Sequence, residues 1–142
     1  MKAFVASLIL LALGASLVVA AGTTTLTTPS AQLQSGGGSV QLDVTIGYAE
    51  KPGALGWVIS LPVGWTFDSL AGGGQPAVLP PAGATGDLEF AFIQVPETGA
   101  QFGLKLRYPA GTSSVNFKGK AILRTDAGAE AVESSPLRLV RS

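Results

Sequence analysis

Asp87 and Glu89 stand two residues apart in a stretch of strand-like pattern, so their carboxylates project from one face. Two carboxylates so placed can ligate a calcium ion or divide the roles of acid and base. The plainer reading is a solvated outer face. A calcium site draws several oxygen ligands from one loop, and no loop here is rich in Asp or Asn. The aromatic residues offer a second chemistry. Trp57, Trp65, Tyr48 and Tyr108 can form a platform on which the C–H faces of a sugar stack, or they can fill the core. Unbroken alternation around Trp57 places it inside. Trp65 borders a turn and is the more open of the pair. The candidate ligand-binding set is therefore Trp65, Tyr108, Asp87 and Glu89.

Much chemistry is excluded by composition. The chain has neither His nor Cys. That removes the commonest general base, the Ser-His-Asp triad, thiol nucleophiles and the usual zinc sites. No metal, no cofactor and no enzymatic activity are expected. Lys and Arg total 9, as do Asp and Glu, so no basic footprint for nucleic acid exists. Lys105, Arg107, Lys118, Lys120 and Arg124 fall on outward positions of two strands and, were those strands neighbours, would form a mild basic patch. Gly72-Gly73-Gly74 lacks the strand, helix and Lys-Ser/Thr of a phosphate loop.

The elements that must carry these residues read as strands. Val40, Leu42, Val44, Ile46 and Tyr48 alternate with polar residues and glycine, the period of a strand with one face buried. Leu55, Trp57, Ile59 and Leu61 share the inner face of the next strand. Pro62-Val63-Gly64 turns the chain, and Trp65 and Phe67 begin another. Gly72–Gly86 is a Gly/Pro-rich loop, long enough to be functional or mobile; Val78 and Leu79 are the residues that would pin it. Leu88–Val95 is apolar on both sides, which predicts a central strand. Gln101–Tyr108 alternates again. Val115, Phe117, Gly119, Ala121 and Leu123 define one further inner face, Asp126-Ala127-Gly128 a hairpin turn, and Leu137–Val140 the last strand. About eight strands separated by Gly/Pro turns predict an all-β antiparallel sandwich.

Met1–Ala21 has a lysine, a long apolar run and small residues near its end, the pattern of a signal peptide. The run is also close to the roughly 20 residues of a membrane anchor. The expected organisation is a signal peptide over 1–21, a flexible segment with edge pieces at Thr23–Thr27 and Ala31–Gln34 over 22–39, and a sandwich domain over 40–142. Export implies a secreted, periplasmic or cell-surface location, with no membrane contact after cleavage.

ALGWVISLPVGWTFDS, then GDLEFAF, then FGLKLRYPAGTS resemble a repeat of large exported bacterial proteins. The layout is similar to cohesin-like and carbohydrate-binding-module sandwiches. The resemblance covers roughly residues 40–124 and rests on hydrophobic and turn positions. It implies a jelly-roll or Ig-like sandwich of about nine strands used for adhesion, scaffolding or glycan contact. The expected function is a non-catalytic exported binding or structural module with a protein or polysaccharide partner. The alternative is a carbohydrate-binding module working through exposed aromatics.

Overall fold

The computed structural model describes residues 22–71 and 76–141. The signal-peptide expectation for 1–21, and the first four residues of the Gly72–Gly86 loop, lie outside the described residues. Eleven strands are present among the described residues: β1 (Gly22–Thr27), β2 (Gln32–Leu33), β3 (Gly38–Tyr48), β4 (Ala54–Ser60), β5 (Thr66–Ala71), β6 (Asp87–Phe92), β7 (Gly99–Tyr108), β8 (Val115–Phe117), β9 (Gly119–Thr125), β10 (Gly128–Glu133) and β11 (Leu137–Arg141). They form an all-β sandwich. A first sheet has the order β1-β3-β7-β5 and a second the order β10-β9-β4-β6. Both are antiparallel throughout. A small third sheet, β2-β11-β8, pairs β2 with β11 in parallel.

Alternation decides which side chains meet between the sheets. Val40, Leu42, Val44 and Ile46 of β3 are buried, as are Leu55, Trp57 and Ile59 of β4. The two inner faces meet through aromatic rings. Trp57 of β4 lies edge-on to Phe102 of β7, with ring centres 5.6 Å apart, and Phe67 of β5 meets Phe90 of β6 at the same separation. The Trp57 indole N–H donates to the Thr24 hydroxyl on β1 at 3.3 Å. Thr24 in turn donates to the Thr45 carbonyl at 3.0 Å. A polar chain thus ties the sheets together inside the core and leaves the indole N–H satisfied.

One glycine is required by this packing. A Cβ on Gly119 would lie 2.1 Å from Cζ2 of Trp57, closer than any real contact permits. Ser134, itself buried, serves both backbone groups of Gly119: its hydroxyl accepts from the glycine N–H at 2.9 Å, and its own N–H donates to the glycine carbonyl at 2.9 Å. A second glycine, Gly64, has φ of +90° at the third position of the Pro62–Trp65 turn. The Trp65 N–H closes that turn on the Pro62 carbonyl at 3.1 Å, the arrangement of a type II turn.

Two expectations need correcting. Val115–Leu123 is not one strand. The chain leaves the third sheet at Phe117 and enters the second at Gly119, while Phe117, Ala121 and Leu123 all stay inside. The phase of burial survives the corner, so alternation alone does not reveal it. Leu88–Val95 is not central. Its ordered part, β6, ends the second sheet's strand order, and Ile93 is 74% exposed. Beyond β6 the sheet gains, among the described residues, a bridge at Val78, whose N–H and carbonyl exchange bonds with Ala91. In residues 22–39 the expected edge pieces stand as β1 and β2, each at the end of its sheet's strand order, with Leu26 and Leu33 in the core. Finally, β5 carries a bulge: Phe67 pairs with Leu106 and Ser69 with Lys105, leaving Asp68 as an extra residue. The bulge returns Leu70 to the inner side, where it packs on the core.

Candidate functional site: the outer face of the second sheet

Register builds this face row by row, because residues paired across strands share a side. Ala131 of β10 pairs with Ile122 of β9, Ile122 with Gly56 of β4, Gly56 with Ala91 of β6, and Ala91 with Val78. That row runs across the sheet without a polar side chain. Beside it runs Glu133, Lys120, Val58 and Glu89. The next row holds Ser60 and Asp87, and their side chains are joined: the serine hydroxyl donates to Oδ1 of Asp87 at 2.5 Å. Lys118 pairs with Glu133 at 3.5 Å. Ser60, Asp87, Glu89, Lys118, Lys120 and Glu133 line a shallow depression of about 520 Å³. An apolar depression of about 350 Å³ adjoins it around Gly56, Val78, Ala91 and Ile122.

Asp87 and Glu89 therefore share an exposed face, as their spacing predicts. They stand side by side along one strand, roughly 6.8 Å of rise apart. Hydrolysis of a glycosidic bond needs its two carboxylates on opposite sides of the substrate, and a single strand does not place them so. No group of three or more carboxylates that can hold a metal occurs among the described residues.

The aromatic candidates lie elsewhere. Trp65 is 1% exposed and Tyr108 is 6% exposed. Their rings stack on each other with centres 5.2 Å apart, and Trp65 meets Phe117 edge-on at 5.1 Å. The Tyr108 hydroxyl accepts from the Gln34 N–H at 2.8 Å. In this arrangement neither ring presents a free face, and of the two alternatives, sugar platform or core, these rings take the core. The physical reason is the type II turn closed by the Trp65 N–H on the Pro62 carbonyl, which delivers the indole to the inner face between Tyr108 and Phe117. Trp57 is 0% exposed. Tyr48 is half-buried and donates to the Pro96 carbonyl at 2.5 Å. Burial, and then the nearby Glu97 carboxylate, raise its phenol above the ordinary value of 10.0.

The basic patch does not form either. Lys105 and Arg107 belong to β7 of the first sheet, whereas Lys120 and Arg124 belong to β9 of the second. The two sets point away from the sandwich on opposite sides. Arg107 is paired with Asp68 at 3.5 Å. What sequence reasoning missed is the apolar row. Its signal was present in Gly56, Ala91, Ile122 and Ala131 as the apolar or small residues at outward positions, but only the register shows that they form one line.

No family model matches the chain, and no curated protein matches it. Among solved structures it is similar to the full-length major pilin SpaD from Corynebacterium diphtheriae, at 10% identity and a TM-score of 0.59. That alignment covers 82% of this chain and 35% of the pilin, so the chain spans about a third of the pilin's length. It is also similar to BslA, described as a bacterial hydrophobin, at 13% identity and a TM-score of 0.51, covering 86% of this chain and 95% of that one. A non-cellulosomal cohesin from the archaeon Archaeoglobus fulgidus aligns at 15% identity and a TM-score of 0.47. The likenesses to the pilin and the hydrophobin show a shared fold, the all-β sandwich.

Proposed function

We infer that the protein is an exported, non-catalytic structural or binding module that contacts a protein partner through the outer face of its second sheet. One observation carries the reading: the row Ala131, Ile122, Gly56, Ala91 and Val78 crosses the whole face without a polar side chain. An antiparallel sheet with water on one side ordinarily alternates apolar-in and polar-out, and an apolar outer face marks an interaction surface. Further support comes from the leader-like Met1–Ala21 and from the absence of His and Cys. The fold is shared with a major pilin and with a protein described as a bacterial hydrophobin. A polysaccharide partner is the weaker alternative, because Trp57, Trp65 and Tyr108 are all buried and offer no ring on which a sugar can stack.

The test compares paired substitutions on the two outer faces. Val58→Lys with Ile122→Lys should abolish retention of the protein by its own cell surface or secreted matrix. Thr25→Lys with Thr45→Lys, on the first sheet, should leave retention unchanged. Equal retention of both variants would end the reading. Binding on a glycan array that survives the second-sheet pair would move the contact surface elsewhere.

A further inference from the structure

We propose that the partner on this face is a second copy of the same chain, docked face to face about a two-fold axis that runs along β4 between the copies; this rests on the reading above.

The argument is the placement of charge. Lys120 and Glu89 flank Val58 in one row, on opposite sides of β4. A two-fold axis along β4 carries one side of the sheet over onto the other. Each Lys120 then faces the neighbour's Glu89, and each Glu89 faces the neighbour's Lys120. Val58 meets its own copy. The same operation sets Lys118, next to Gly119 at the Ile59 level of the register, against the neighbour's Asp87. In the apolar row, Ile122 faces the neighbour's Ala91, Ala131 faces Val78, and Gly56 faces Gly56. Large residues thus meet small ones, and the pair of glycines lets the backbones approach at the axis. A face that complements itself under one operation is what an isologous dimer requires. Reversing the sign of either member of the Lys120–Glu89 pair would set like charges against each other.

Size sets the expected strength. Four strands about 4.8 Å apart and six residues long present a footprint of roughly 400 Å² per copy. That belongs with transient contacts rather than obligate dimers. Association should therefore depend on concentration, and on salt through the exposed charge pairs.

Sedimentation equilibrium of the protein, from micromolar to millimolar, is the experiment. Wild type should pass from monomer towards dimer. Lys120→Glu alone and Glu89→Lys alone should each weaken self-association at least tenfold. A mixture of those two variants should pair, because each then carries the charge the other lacks. The double variant carrying both reversals should recover wild-type association. Circular dichroism and thermal melts check that each variant folds. A wild type that stays monomeric at millimolar concentration overturns the proposal, and so does a mixture that fails to pair while the single variants dimerise normally. If wild type is monomeric yet Val58→Lys with Ile122→Lys still abolishes surface retention, the dimer is wrong and the binding face stands. If neither association nor retention responds, both fall.

Discussion

The two large sheets share one core and present opposite characters to water. The first sheet turns out Thr23, Thr25 and Thr27 from β1, Gln41, Asp43 and Thr45 from β3, and Gln101, Lys105 and Arg107 from β7. Each of these has a hydroxyl, amide or charge to give to solvent. The second sheet turns out Gly56, Val58, Ala91, Ile122 and Ala131, with its charges confined to the flanking rows. Inward, the sheets obey the same alternation and supply the same kinds of side chain. The difference teaches that alternation sets which residues are buried in the monomer but leaves the outward set free to vary. A threonine-rich face stays solvated, while an aliphatic one keeps unspent hydrophobic area.

Perturbing the core tests whether the second sheet's inner face is as tightly specified as its register suggests. Trp57→Ala should cost the most, about 3–5 kcal/mol by analogy with other large-to-small core changes. Gly119→Ala should follow. Its new Cβ would overlap the Trp57 ring, and overpacking of this kind costs about 1–3 kcal/mol or more. The contrasting change is Gly103→Ala, whose Cβ would point to the outer face of the first sheet beside Asp43 and Gln41. There the nearest atoms are Ala71 Cβ and Asp43 Oδ1 at 3.1 Å and Gln41 Nε2 at 3.4 Å, and the two polar side chains can swing aside. Urea melts should rank Gly103→Ala well below Gly119→Ala. Equal losses would mean that the overlap with Trp57 does not set the cost at Gly119.

Thr24→Val probes the bond between the sheets. It keeps the shape and removes the hydroxyl that accepts from Trp57. An unpaired buried donor costs about 1–3 kcal/mol, and the same melts should show it. Exchanging outward residues is smaller still. Ile122→Thr and Thr45→Ile should each change monomer stability by no more than about 0.5 kcal/mol, yet only Ile122→Thr, on the second sheet, should weaken self-association, while Thr45→Ile on the first sheet leaves it unchanged.

The smallest effect is alkaline. The Tyr48 phenol is raised above 10.0 in the fold. Below that pH both folded and unfolded states hold the proton, so stability has no slope from this group. As pH rises past about 10 the unfolded chain loses the proton first, and stability falls until the folded phenol ionises. Tyr48→Phe should remove that fall. The difference between the two melting curves against pH isolates it from the lysines.

Strand positions were largely legible in the sequence because each alternation, as in Val40–Tyr48, is local. The face on which Asp87 and Glu89 lie was legible for the same reason. Sheet membership was not. Val115–Leu123 keeps its burial phase through the corner at Lys118, and nothing in that phase says that β8 and β9 have different partners. The basic patch failed on the same point: Lys105 and Lys120 are equally outward, but on opposite sides. Trp65 reads as the more open of the two tryptophans because it borders a turn, and turn type depends on the φ of Gly64, which composition does not reveal. The apolar row needed four pairings at once and has no signature within any one segment.

Burial of both indoles has a practical corollary. Trp57 and Trp65 sit behind closed rings and backbone, out of reach of anything that settles on either outer surface. Their ultraviolet emission should stay blue and unmoved while copies or ligands come and go. A red shift on adding a binding partner would therefore report a sandwich being prised apart, and would serve as an internal alarm in every titration.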